Sequence, residues 1–410
     1  MKKITGRKLF KVVAVGLLVG LVIVSALPRK VLAQKTEITM GYTVSHSGPY
    51  SMGSITLHRN NYEMWAEQVN AKGGILVKTI GRKLPIKLVS YDDRSDVETA
   101  VRMYEKLITS DKVDLVLPAW GSAMHFAIAP IANKYKYPFI GTSFTSLRFK
   151  EMPLPYFYLI TQMSDASNGA VLDLLKDLRK KGKVEKIAVL YVGDLYGIEQ
   201  AATIVPLLPV EGFEIADVKS YTLGTKDLSS VLKVIKAKGV DAVTAFTYPA
   251  DSMLITSQSM EIGFNPSVMY IGVGAIFSTY KDRFGKASDG IMGTGGWNRK
   301  VPYPGAKEYY DNYLKKWKVE PDHGGGPSTY ASLQVLEQAI EKAGTLDRET
   351  LKKVLDTEKF ETMTGPTKFT DRYNSELPGM VLQWQKGIYE IIWPKDRATA
   401  EPFFPKPAWP

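Results

Sequence analysis

VDLVLPAWGSAMHFAIAPIANKYKYPFIGTSFT, residues 113–145, is the stretch whose reading decides the fold. Residues 113–117 are a short apolar run, as expected of a strand buried on both faces. Residues 138–141 are a second such run. The segment between them is too long for a hairpin and carries helical spacing, which predicts parallel neighbouring strands joined by a crossover helix. Each strand runs into small polar residues beside an aromatic ring: Trp120-Gly121-Ser122 after the first, Thr142-Ser143-Phe144-Thr145 after the second. In open parallel sheets ligands bind beyond the carboxyl ends of the strands. Ser122 also stands at the predicted start of the helix, where free N–H groups and the helix dipole suit a carboxylate. The stretch reads as half of a small-molecule cleft.

On the N-terminal side, residues 38–44 and 85–91 read as strands, and residues 55–69 as a helix stopped by Gly73-Gly74. Asp96 is placed to cap an amphipathic helix carrying Val97, Ala100, Val101, Tyr104, Leu107 and Ile108 on one stripe. The same β-α alternation resumes after residue 156, with strands expected at 186–192, 213–221, 240–247 and 267–271. This is the pattern of an α/β protein with two parallel-sheet units. The last third differs: helices are expected at 306–318, at 328–343 and after Asp347, then short strands near 367–369, 380–384 and 388–393. The Pro-rich end, residues 396–410, reads as a tail that is either wrapped on the surface or disordered.

Residues 1–33 are a separate object. Lys2, Lys3, Arg7, Lys8 and Lys11 precede an uncharged apolar run, and Val31-Leu32-Ala33 offers small residues at a cleavage point before Gln34. The run is short for a membrane span, so an export signal is expected, with an uncleaved anchor as the alternative. Setting aside the seven basic residues of this segment lowers the net charge from +11 to +4. No dense basic stripe is left, so no nucleic-acid partner is expected. The 410 residues contain no cysteine, which excludes disulfides, thiolate metal sites and a lipidated N-terminal cysteine.

Catalytic and metal chemistry find little support. His46, His58, His125 and His323 stand at no zinc spacing, so no metal or cofactor is expected. Gly272-Val273-Gly274 follows a strand without completing a dinucleotide fingerprint. An enzyme on this core would have to use His46 or Asp251, and neither has an evident partner in the sequence. By contrast, five strands end in loops of similar chemistry: SHSGPY, AWGSA, GTSFT, GDLYG and TYPAD. Hydroxyls, backbone donors and ring faces gathered along one edge make small-molecule pockets.

Taken in order, DDRSDVETAV, IAPIANKYKYPFIGT, GDLYG and TYASLQVLEQAIEKAGTLDRETLKKVL…GPTKFTDRYN…VLQWQKGIYEIIWP make the chain resemble the branched-chain amino-acid (Leu/Ile/Val) binding family. These are solute-binding proteins of ABC importers, of the type I periplasmic-binding fold. The resemblance implies two doubly wound β-α-β lobes around a central cleft, joined by a three-segment hinge. Lobe 1 would hold residues 36–158 and 295–360, and lobe 2 residues 159–294 and 361–395. It implies a periplasmic or extracytoplasmic monomer that hands its ligand to a membrane permease. A related alternative is a ligand sensor serving a separate signalling partner. The implied ligand contacts are Trp120, Ser122, Ala123, Ser143, Thr145, Tyr196 and Tyr248. In amino-acid binders of the family an acidic residue after the strand ending near Gly272 meets the ligand ammonium. Here that place is taken by Gly274 between Val273 and Ala275, so either an aromatic face serves the ammonium as a cation–π partner or the ligand lacks that charge; the expected ligand is a small carboxylate, amino-acid-like or an aromatic or branched acid, with an ordinary α-amino acid disfavoured.

Overall fold

Five parallel strands, ordered 214–221, 186–192, 242–246, 268–271, 291–294 across their sheet, frame the second half of the molecule. Lys186–Val192 and Ala242–Phe246 are almost wholly buried, which is why they read as unbroken apolar runs rather than alternating ones. Antiparallel strands Val381–Gln385 and Ile388–Trp393 extend this sheet beyond Ile291–Thr294. The computed structural model describes residues 35–410, so the expected export signal lies outside the described residues. Glu37–Pro410 packs as one compact unit.

The first lobe has the corresponding order, with Ile38–Val44 between Ile86–Asp92 and Leu115–Val116, all parallel. In both lobes the strand order reverses beside the first strand, and the crevice at such a reversal is where ligands bind. One expectation fails here. Leu115–Val116 and Phe139–Gly141 are not hydrogen-bonded neighbours; Phe139–Gly141 pairs instead with Phe157–Leu159. The carbonyls of the earlier segment are taken by side chains. Tyr137 donates to Val113 at 2.6 Å, Tyr62 donates to Pro118 at 2.8 Å, and Tyr104 donates to Leu117. Pro118 has no N–H to offer a neighbouring strand.

A second difference concerns the return of the chain. Lys359–Thr362, Gly365–Thr370 and Tyr373–Asn374 join the sheet of Phe139–Gly141 and Phe157–Leu159. Residues 361–374 therefore belong with the first lobe, where the sequence reading put them with the second. Phe360 and Phe369 carry this assignment, because their rings complete the core of the first lobe beside Ile38, Tyr158 and Leu351. The helix expected at 55–69 also begins earlier, at Ser51, and widens into a π-helical stretch over Ser54–Arg59. The tail is wrapped on the surface: Lys406 N–H donates to Ser267 and Trp409 Nε1 to Phe264.

Candidate functional site

Between the carboxyl ends of the two sheets lies a cavity of about 820 Å³, counting its mouth. Trp120, Ser122, Ser143, Thr145, Tyr196 and Tyr248 all line it. Ala123 does not; it is the second residue of the Ser122–Lys134 helix, behind the wall. His46 and Asp251 do not line the cavity either. His46 is exposed, and Asp251 is buried and accepts a hydrogen bond from the Tyr221 hydroxyl at 3.1 Å. The wall has eight Ser and Thr residues, three tyrosines, Gln162 and Gln200, and no Asp, Glu, Lys, Arg or His among the described residues.

The Ser122 corner is built by two buried histidines. His125 lies one turn into the helix, and its Nδ1 donates to the Gly121 carbonyl at 2.9 Å while its Nε2 accepts from the Thr142 N–H at 3.2 Å. The Thr142 N–H can only donate, and this assigns the tautomer. His58 repeats the arrangement: Nδ1 donates to the Pro118 carbonyl at 3.2 Å, and Nε2 accepts from the Thr142 hydroxyl at 3.0 Å and the Ser143 hydroxyl at 3.3 Å. The two rings thus staple the loop after the 115–116 strand to the loop after the 139–141 strand. Burial holds both neutral. It lowers His58 well below its ordinary value, with His125 adding to the effect, and lowers His125 to about 4. The Ser143 hydroxyl is itself committed, since it accepts from the Gly121 N–H at 3.0 Å.

Among the helices whose N-terminal residues line the cavity, Ser122–Lys134 and Gly325–Ala343 differ in charge. The Gly325–Ala343 helix is already met by Asp322, which accepts from Gly324 at 2.9 Å and Gly326 at 3.0 Å. Burial raises Asp322 to about 6 against those bonds. The Ser122–Lys134 helix starts at Gly121, whose N–H goes to the neutral Ser143 hydroxyl, and its first turn carries no acidic residue. Its positive end remains open toward the cavity, which suits an anionic group.

Rings close the opposite side. Tyr248 stacks on Tyr196 at 5.5 Å between centroids and meets Trp120 at 5.2 Å and Tyr50 at 5.7 Å, so this cluster crosses the cleft. Gly53 makes room for Trp120, whose ring would lie 2.3 Å from a Cβ at that position. Asp194 holds the cluster from the second lobe. It caps the Leu195–Ile204 helix by accepting from Gly197 at 3.1 Å and accepts from the Tyr248 hydroxyl at 2.6 Å. Burial raises its pKa in spite of these bonds. Gln200 reaches across to donate to the Thr145 hydroxyl at 3.2 Å.

The turn at Gly274 carries no acid, and its geometry leaves no place for one. A Cβ on Gly274 would lie 1.7 Å from the Ser252 hydroxyl oxygen, which fills that space and hydrogen-bonds Thr247 at 2.5 Å. Val273 and Ile276 are what this turn shows to the cavity.

Two lobes, a cleft at both strand reversals and a neutral wall that includes the start of the Ser122–Lys134 helix make a solute-binding architecture. A family profile described as "Periplasmic binding protein" matches residues 37–387, and the chain belongs to that family, a class of extracytoplasmic proteins that bind small solutes. Among its relatives is the Leu/Ile/Val-binding protein homolog 7 of Brucella suis biovar 1 (strain 1330), 25% identical over 398 residues, covering 92% of this chain and 96% of that one. Among solved structures, a leucine binding protein from Thermotoga maritima is similar at a TM-score of 0.74 and 20% identity, covering 86% of this chain and 97% of that one. A solute binding protein of an ABC transporter from R. palustris, in complex with benzoate, is similar at 0.76 and 17%, covering 90% and 98%. At these identities the structural likenesses establish the fold.

Proposed function

We propose that this chain is the exported binding subunit of an ABC importer, and that it traps a small carboxylate lacking an ammonium, aromatic or branched, as its lobes close. The observation that carries this is the uncharged wall. A carboxylate at the Ser122 helix N-terminus gains free N–H donors, the helix dipole and nearby hydroxyls. An ammonium would find no carboxylate on any lining residue, and burying it unpaired costs several kcal/mol. Trp120, Tyr196 and Tyr248 supply ring faces for an apolar body. The division into lobes follows the sheets, with residues 37–160 and 297–374 in one and 163–294 and 381–393 in the other. The protein acts as a monomer that delivers its ligand to a membrane permease and catalyses no reaction.

A thermal-shift panel tests the reading. Benzoate, hydroxylated benzoates and branched 2-oxo acids are compared with leucine, isoleucine and valine. Stabilisation by one or more of the acids, with little from the amino acids, is expected. A large shift with leucine or valine alone would refute the assignment of ligand class.

A further inference from the structure

Three passages of chain link the lobes: residues 160–163, 295–297 and 375–380. Gln162, in the first, touches both of the others. Its Nε2 donates to the Gly295 carbonyl at 3.0 Å, and its Oε1 accepts from the Met380 N–H at 3.3 Å. The side chain is buried and also lines the cavity. The second passage packs on the other two at ordinary contact distance, and the third is tight at one point. The side chain of Met380 and the amide of Gln162 both lie 3.7 Å from where a Gly296 Cβ would sit. A Cβ on Gly379 would lie 1.9 Å from the Ala166 carbonyl.

An amide is a costly residue to bury at such a place, and packing alone would be served by leucine. What an amide adds is direction: one end must meet an acceptor and the other a donor. Gly295 and Met380 each stand beside a strand of the second-lobe sheet, 291–294 and 381–385, while Gln162 follows the last parallel strand of the first lobe. One side chain therefore ties the exit of the first lobe to one exit and one entry of the second.

We propose that Gln162 is the positioning residue of the hinge, fixing the register in which the first lobe's Ser122 and Thr145 face the second lobe's Tyr196 and Tyr248. This rests on the reading that the lobes close about these passages. Without the amide, the Met380 N–H and the Gly295 carbonyl lose their partner, and the three passages slide independently.

The test uses the ligand-free full chain, so that failure of the acid panel leaves it intact. Because the protein has no cysteine, Phe126→Cys and Ile198→Cys, both exposed, on the helices at the two lips of the cleft, take spin labels uniquely. In the otherwise unaltered protein one narrow inter-label distance is expected. Gln162→Leu should broaden it toward longer distances and speed deuterium exchange of the Met380 amide at least tenfold, with the unfolding temperature held within about 3 °C. Gln162→Glu keeps the acceptor for Met380 and should recover that protection. It should leave the distance broad, because a carboxylate then faces the Gly295 carbonyl. An unchanged distance in Gln162→Leu overturns the proposal. So does broadening accompanied by faster exchange throughout the molecule, which would mark general loosening.

Discussion

His125 illustrates how a residue that never touches the cavity can shape it. Its two ring nitrogens meet a carbonyl and an N–H, and both bonds exist only for the neutral ring. Burial lowers its pKa from 6.5 to about 4. The unfolded chain therefore binds a proton that the folded protein refuses, and folding loses stability as pH falls from about 6.5 to about 4. The full effect of one such group is on the order of 3 kcal/mol. His125→Gln, which cannot titrate, should unfold with a flatter pH dependence than the parent across that window, as read from urea midpoints at pH 7, 5.5 and 4.5. Parallel curves would exclude the role. The comparison must be made between variants, because buried Asp322, raised to about 6, contributes with the opposite sign in the same range. From sequence alone the four histidines could be set aside as zinc ligands by spacing. That two of them join the loops ending in Ser122 and Thr142 depends on contacts between residues 84 positions apart for His58 and 17 apart for His125, which no local pattern reports.

The elements that were legible are those whose signals are local. Asp96 caps Val97–Thr109 and Asp347 caps Arg348–Thr357, each accepting from the N–H three residues on. Apolar runs such as KIAVLYV stand out because both faces are covered. Short pieces with polar or glycine-bearing sequences escaped: the hairpin of Ile75–Val77 with Arg82–Leu84, Ile291–Thr294, and Lys359–Thr362, which is exposed at alternate positions. Among capped helices, Leu195–Ile204 matters most, since it carries Tyr196 and Gln200 into the cavity. Its cap, Asp194, also holds the Tyr248 hydroxyl. Asp194→Ala should therefore cost roughly 1–2 kcal/mol of stability and weaken ligand binding, while Asp194→Asn, an equally good cap, should keep most of the stability. Chemical denaturation of the two variants side by side checks this, and equal losses would show that the charge rather than the cap matters.

At the scale of the whole molecule, sequence order showed two β-α units but could not show where the third passage returns. Residues 361–374 are short, partly polar strands, and their partners lie some 200 positions away at Phe157–Leu159. The proposed closure would draw on contacts that span the cleft, and Tyr50 is the informative one. It comes from the first-lobe loop SHSGPY, is buried, and is absent from the cavity wall. Its ring meets Tyr248 at 5.7 Å, and its hydroxyl feels the charge of Asp194, both in the second lobe. A cross-cleft ring pair contributes about 0.5–1.5 kcal/mol beyond the area it buries. In the proposed closure such contacts favour the closed state, so their loss would weaken it without touching the ligand. Tyr50→Ala should then bind the best acid of the panel about tenfold or more weakly by calorimetry, and its scattering radius should contract less on ligand addition. Trp120→Ala loses a cavity-lining ring as well, so its ligand preference should change along with its affinity. Tyr50→Ala should keep the parent's order of preference among acids. A reordered preference in Tyr50→Ala would place that residue in direct contact with the ligand and remove the distinction between the latch and the wall.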